Sequence, residues 1–188
     1  MGRGEVLPQK IQDYINRLFA PEDSALESIK SQLAADGKDH IQVRPYEGQM
    51  LQVLMKSIGA KSVVEVGTLY GYSTLWMARA LPEGGHIHTL EKSEDNHRTA
   101  VSLFKDLPEK ELVTFHLGDA EGLLSELSSK GPFDMCFIDA NKSGYKKYLD
   151  WAMENVRSGG LIIGDNTFLF GAVYDEEARS QVSAAMLE

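Results

Sequence analysis

The run Ser62-Val63-Val64-Glu65-Val66-Gly67-Thr68-Leu69-Tyr70-Gly71-Tyr72-Ser73-Thr74 decides the fold. Its apolar, β-branched start predicts a buried strand, Gly67 and Gly71 mark a tight turn, and from Tyr72 to Leu81 the apolar residues fall at helical spacing. Strand, glycine turn and helix in that order open a doubly wound sheet, whose ligands bind beyond the carboxyl ends of the strands. There glycine lets the backbone approach a ligand, and the helix N-terminus offers unpaired N–H groups. Two phosphate-binding patterns are excluded. The dinucleotide fingerprint G-x-G-x-x-G, counted from Gly67, meets Leu69 and Tyr72 at its later glycine places, and a P-loop needs a lysine where none lies between Lys61 and Lys92. What stands is acidic-x-Gly-x-x-x-Gly, with Glu65 at the strand end. A carboxylate there suits a ligand that carries an ammonium group.

Outward from this run, 188 residues with 43% hydrophobic content suit one α/β domain over 1–188, with leading helices over 1–58 and a ligand-binding core over 61–171. The formal charge of -9 gives no electrostatic footprint for nucleic acid or an anionic membrane. With no basic-then-apolar leader and no long apolar run, the expected location is cytoplasmic, and the expected partner is a small molecule. The lone Cys136 lies in the apolar run 133–138 and reads as an inert core residue.

Ahead of the core, Ile11, Tyr14, Ile15 and Leu18 predict a helix over 6–19, Pro21-Glu22-Asp23-Ser24 opens a second to Ala35, and Pro45-Tyr46-Glu47-Gly48 opens a third with a core stripe of Met50, Leu51, Leu54, Met55 and Ile58. From Lys61 strands and helices alternate. Strands are expected at 63–66, 85–91, 112–117, 133–138 and 161–164, and helices at 72–81, 93–106, 121–129 and 143–156, the last with a core stripe of Tyr145, Tyr148, Leu149, Ala152, Met153 and Val156. This alternation implies a mostly parallel, Rossmann-like sheet with helices on both faces. Every strand end carries an acid: Glu65, Glu91, then Asp119 within Gly118-Asp119-Ala120, Asp139 and Asp165. Any one of these could simply cap a helix, as Asp119 and Asp139 are placed to do, but a series of them calls for a ligand. Glu91 stands where an acid would hold ribose hydroxyls. If the fourth and fifth strands are neighbours, Asp139, Asp165 and Asn166 form an all-oxygen set suited to Mg²⁺, with Mn²⁺ or Ca²⁺ as alternatives. Lys142, at the start of the following helix, opposes that helix's dipole and so calls for a reason to be there. His86 and His88 share a strand face and read as packing, and His116 has no partner in sequence.

The strand-turn-helix run resembles the cofactor motif of S-adenosylmethionine-dependent methyltransferases, with Leu69 in place of their middle glycine. Asp139-Ala140-Asn141-Lys142-Ser143-Gly144-Tyr145, Gly159-Gly160 and Gly164-Asp165-Asn166-Thr167-Phe168-Leu169-Phe170-Gly171 are similar, more specifically, to the cation-dependent O-methyltransferases of the caffeoyl-CoA and catechol group. The resemblance runs from about Ile41 to Gly171. It implies S-adenosylmethionine as cofactor, bound by Glu65, Gly67, Thr68, Gly71, Tyr72, Ser73, Glu91, Gly118, Asp119, Ala120 and Asp139. It implies a divalent metal on Asp139, Asp165 and Asn166, Lys142 as general base, an aromatic hydroxyl acceptor walled by Phe168 and Phe170, and a homodimer. Members of that group continue past a helix corresponding to 176–187 into two further strands of a seven-stranded sheet, which this sequence, ending at Glu188, lacks. Two other readings stand beside it: a metal-dependent hydrolase using Asp139, Asp165 and Asn166 without Glu65 or Glu91, and a non-catalytic or truncated protein that binds the cofactor only.

Overall fold

The computed structural model describes residues 8–168 and Glu176. Three helices lead, α1 (Gln9–Phe19), α2 (Ser24–Ala35) and α3 (Pro45–Ile58). Then β1 (Ser62–Val66), α4 (Tyr72–Ala78), β2 (His86–Glu91), α5 (Glu94–Phe104), β3 (Val113–Leu117), α6 (Ala120–Leu127), β4 (Phe133–Ile138), α7 (Tyr145–Asn155) and β5 (Val156–Gly164) alternate as expected. All strand pairs are parallel, in the order β3-β2-β1-β4-β5. The described sheet is therefore two strands shorter than the seven-stranded form, and the expected helix at 176–187 lies, apart from Glu176, outside the described residues. The chain runs outward from β1 to β3 and then returns to the other side of β1, so the order reverses between β1 and β4. That reversal is where open parallel sheets take their ligands.

Alternate residues of the central strands feed two cores. Val63, Ile87, Met135 and Phe137 face Leu26, Met55, Leu75 and Phe104, while Val64, Val66, Cys136 and Ile138 face Leu124, Leu127 and Tyr148. Burial on both faces accounts for the unbroken apolar runs in these strands. Cys136 is fully buried, and burial pushes its thiol up to about 12, in keeping with an inert core role.

Three local expectations change. Gly159-Gly160, which precede the strand expected at 161–164, lie inside β5: Phe133 pairs with Val156 but Met135 with Leu161, so β5 bulges where the glycines sit. Gly159 has φ +76°, and a Cβ on Gly160 would come within 2.6 Å of the Asp134 carbonyl, which explains why both places take glycine. Val156 consequently belongs to β5 and not to the preceding helix. Second, the α1 stripe faces outward: Tyr14 is 54% exposed while Gln12 is buried. Met50, Leu149 and Met153, assigned to core stripes, are exposed as well.

Third, His116 does have a partner. His88 Nδ1 lies 3.0 Å from His116 Nε2, and His86 Nε2 lies 2.8 Å from Thr114 Oγ1, on the face that carries Leu90 and Phe133. Burial, followed by the nearby charge of Lys130, lowers the pKa of all three imidazoles, His88 to about 4. Between 6.5, its ordinary value, and about 4, the unfolded chain binds a proton at His88 that the folded chain refuses, so this contribution to stability is lost as pH falls. We expect the unfolding free energy of wild type, measured by urea titration, to fall relative to that of His88→Phe as pH drops through that window. The buried carboxyl of Glu65 tilts the curve the other way, so the wild-type-minus-variant difference is the decisive quantity.

Candidate active site

Four backbone hydrogen bonds carry the sheet one residue beyond its strands. Gly67 N donates to Leu90 O at 3.0 Å, Asp139 N to Val66 O at 2.8 Å, Gly118 N to Glu91 O at 2.9 Å and Asp165 N to Ile138 O at 2.9 Å. The first residue out of β1, β3, β4 and β5 is thus still held in register. Gly67, Gly118 and Asp139 border a cleft of about 890 Å³, whose far wall is the loop 39–45.

Of the residues expected at a site, Gly67, Thr68, Tyr72, Ser73, Glu91, Gly118, Asp119, Ala120, Asp139, Lys142 and Asn166 line this cleft. Glu65, Gly71 and Asp165 do not. Glu65, expected to meet an ammonium group, instead lies wholly buried beneath it, its carboxyl accepting from Ser73 Oγ (2.5 Å), Thr74 Oγ1 (2.5 Å) and Thr89 Oγ1 (2.7 Å). Burial raises its pKa to about 7 and outweighs the three hydroxyl donors, so the folded chain holds a proton there that the unfolded chain releases. Glu65 therefore favours folding less as pH rises from 4.5 towards 7. Gly71 turns its α-carbon to Phe104, where a Cβ would sit 2.6 Å from the ring.

Gly67 is required by space. Its φ is +105°, and a Cβ would lie 2.1 Å from the Asp139 carbonyl oxygen. Leu69 takes the left-handed conformation of the glycine it stands for, with φ +51°, and its N–H donates to Glu91 Oε2 at 2.8 Å. Ser93 N donates to Glu91 Oε1 at 2.8 Å. The Glu91 carboxylate is thus fixed from both sides and presented, mostly buried, to the cleft. Asp119 caps α6 through Glu121 N and pairs with Lys92, whose hydrogen bond lowers its pKa. Capping and cleft lining coexist at this residue.

At the other end Asp139, Lys142, Tyr145, Asp165 and Asn166 converge. Asp139 caps no helix; its carboxyl shares a hydrogen bond with that of Asp165, and burial together with the Asp165 charge raises its pKa against the opposing pull of Lys142. Asp165 Oδ2 also meets Asn166 Nδ2, and Asn166 adopts φ +53°, a conformation that asparagine tolerates. Lys142 begins a 3₁₀ turn, Lys142–Gly144, ahead of α7, and its Nζ donates to Asp165 O at 2.9 Å and to Tyr145 Oη. Tyr145, assigned to a core stripe, brings its hydroxyl within 2.8 Å of Asp165 O and 3.0 Å of Ile138 O. Its position three residues after Lys142 was the available signal. The donors fit a hard, oxygen-seeking cation: two mutually repelling carboxyls and an amide whose half-turn would present Oδ1. Among the described residues no three or more of His, Cys, Asp and Glu gather as a metal group, so the amide would have to complete such a set.

Sequence reasoning also missed Arg44 and Lys38. Arg44 lines the cleft from the N-cap of α3, a place where a cation is unusual and therefore readable. Lys38 Nζ donates to Asn96 Oδ1 (2.7 Å) and Tyr70 Oη (3.2 Å), while Tyr70 Oη donates to Asp36 (2.6 Å), clasping the far-side loop to the glycine turn. No described helix is long and apolar enough to cross a membrane.

Comparison with known proteins gives the same direction. The O-methyltransferase family model matches residues 17–188. A catechol O-methyltransferase of Niastella koreensis is 40% identical over 172 residues, covering 90% of this chain and 78% of that one. A caffeoyl-CoA O-methyltransferase of Stellaria longipes is 29% identical, covering 91% and 72%. The O-methyltransferase TomG from Streptomyces achromogenes, solved in complex with SAM, superposes with TM-score 0.86 at 32% identity over 95% of this chain and 79% of that one. The chain belongs to the O-methyltransferase family, as a class I S-adenosylmethionine-dependent enzyme related to the catechol and caffeoyl-CoA O-methyltransferases.

Proposed function

We propose that this chain transfers a methyl group from S-adenosylmethionine to one hydroxyl of a catechol- or caffeoyl-type aromatic, with a divalent metal held by Asp139, Asp165 and Asn166 and with Lys142 as general base. The observation that carries this reading is the convergence of Asp139, Asp165, Asn166 and Lys142 at one end of a cleft whose other end presents the fixed carboxylate of Glu91. Glu91 would take the ribose hydroxyls, Asp119 and Ala120 would flank the base, and the Gly67–Ser73 segment would take the methionine portion. Glu65 would act from below, orienting Ser73 and Thr74. When bound, the cofactor would supply an electrophilic methyl carbon, and the cation, Mg²⁺ or another hard ion such as Mn²⁺ or Ca²⁺, would stabilise a phenolate oxygen. A phenol with pKa about 10 keeps its proton at neutral pH, and Lys142 Nζ, in its neutral form, would receive it. Orientation by the cleft walls supplies much of the remaining rate. We further infer one catalytic domain acting as a cytoplasmic homodimer; the lone buried Cys136 and the outward apolar stripe of α1 support that assignment.

The test is methyl transfer from labelled S-adenosylmethionine to caffeic acid with Mg²⁺ and then with EDTA. Transfer that EDTA abolishes and Mg²⁺ restores is expected. EDTA-insensitive transfer would remove the metal from the proposal, and cofactor binding without any transfer would favour the non-catalytic reading.

A further inference from the structure

The cleft wall formed by loop 39–45 carries Arg44. Its Nη1 donates to Gln12 Oε1 of α1 at 2.6 Å and to Tyr46 Oη of α3 at 3.1 Å. Both acceptors are neutral, and Gln12 is buried, so the guanidinium is fixed by two helices without being neutralised. Its other three N–H donors, on Nε and Nη2, find no acceptor among the described residues. The other long cations of the cleft are engaged: Lys92 pairs with Asp119, and Lys142 donates to Asp165 O and Tyr145. Arg44 also sits at the N-cap of α3, where the helix dipole disfavours a cation and where a short polar side chain is the usual choice. A fixed, half-buried fork with an open edge is the arrangement that recognises a planar oxyanion in two-point fashion.

We propose that Arg44 is a specificity-determining residue that receives an oxyanion borne by the methyl acceptor, a carboxylate on the aromatic's side chain. This rests on the reading of the cleft as an aromatic-acceptor site. It implies that, despite the chain's net charge of -9, acidic catechols are preferred over their neutral esters. A phosphate on a larger acceptor offers the same chemistry and is separated by the test.

The test compares 3,4-dihydroxycinnamate, its methyl ester and its coenzyme A thioester as acceptors for wild type, Arg44→Gln and Arg44→Lys, with folding checked by thermal melts. The acid-to-ester ratio of kcat/KM is expected to fall about ten- to a hundredfold in Arg44→Gln, through KM, with Arg44→Lys between the two. A fall confined to the thioester would assign the oxyanion to phosphate and overturn the carboxylate. An unchanged ratio, or an equal fall for all three acceptors, would overturn the proposal by reducing Arg44 to a structural role. If wild type methylates none of them, the methyl-transfer reading fails on its own. Calorimetric binding of the acid and ester to wild type and Arg44→Gln then still decides the role of Arg44: equal affinity for acid and ester in wild type overturns it. Should Arg44→Gln not fold, Arg44→Lys, which keeps the charge but loses the planar fork, carries the same comparison.

Discussion

Replacing Lys142 by Ala is expected to lower the turnover number about 10²- to 10⁴-fold while leaving cofactor affinity little changed, the range associated with loss of a positioned general base. The side chain is not a loose surface lysine. Its Nζ donates to Asp165 O at 2.9 Å, bonds to Tyr145 Oη, and lies 4.1 Å from the centre of the Tyr145 ring, which places it beside both candidate metal-binding carboxylates. Two roles could follow from that position: holding positive charge at the metal corner, or accepting a proton. Lys142→Arg separates them, because arginine keeps the charge but does not release its proton in proteins. A Lys142→Arg enzyme as slow as Lys142→Ala is the result expected of a base. Recovery of most activity in Lys142→Arg would identify an electrostatic role, and unaltered turnover in Lys142→Ala would remove Lys142 from the chemistry. Steady-state transfer from labelled S-adenosylmethionine gives the turnover number, and isothermal calorimetry with the cofactor gives the affinity.

Gly67→Ala is expected to be the most damaging single-methyl change in the described chain. A Cβ at Gly67 would lie 2.1 Å from the Asp139 carbonyl oxygen, which is backbone and cannot swing aside as a side-chain tip would. The φ of +105° adds conformational strain for any L side chain. Clash and strain together come to about 3 kcal/mol or more, a drop in Tm of roughly 6–12 °C for a chain of this size. Relief of the clash can come only by parting β1 from β4 at their carboxyl ends, which would also open the cleft, so cofactor binding should be lost beyond what the melting point explains. Gly84→Ala is the control. Gly84 has φ +75°, but a Cβ there would meet nothing within 4 Å, so it reports strain without a clash. A Gly67→Ala melt no lower than that of Gly84→Ala would show that the close approach of β1 and β4 carries no weight.

The parts of the site legible in the sequence were those that the backbone places. A glycine turn after an apolar strand, and an acid at or just past the end of each following strand, are positions on the chain, and a parallel sheet converts them into one edge. Where the side chain itself had to choose a direction, sequence patterns were weaker. Glu65 was readable as a strand-end acid. That it turns beneath the cleft depends on Ser73 and Thr74 at the start of α4 and on Thr89 of β2, whose hydroxyls converge only in three dimensions. Leu69 shows the converse: the turn keeps a glycine-like φ although the glycine is missing, because the backbone hydrogen bond to Glu91 holds it. Gly159-Gly160 fell between the expected helix and strand, but a bulge and a turn use glycine for the same conformational reason, and only the pairing with β4 tells them apart. The α1 stripe had the right period for a helix, yet period alone does not say which side the rest of the chain lies on. Here Gln12, tied to Arg44, faces inward instead.

The four hydrogen bonds that extend the sheet past its strands have a consequence for how this enzyme can change over time. Gly67, Gly118, Asp139 and Asp165 take their positions from the sheet and not from the loops they begin. These four residues therefore keep their places when a loop alters further along, whereas Asn166 and Lys142, one and three residues past Asp165 and Asp139, move with their loops. The far wall, by contrast, comes from the segment between α2 and α3, outside the alternating core altogether. The strand-end residues and the far wall thus sit on separable pieces of chain. On the proposal made for Arg44, acceptor preference would change by mutation in 39–45 while the strand-end residues stay where they are.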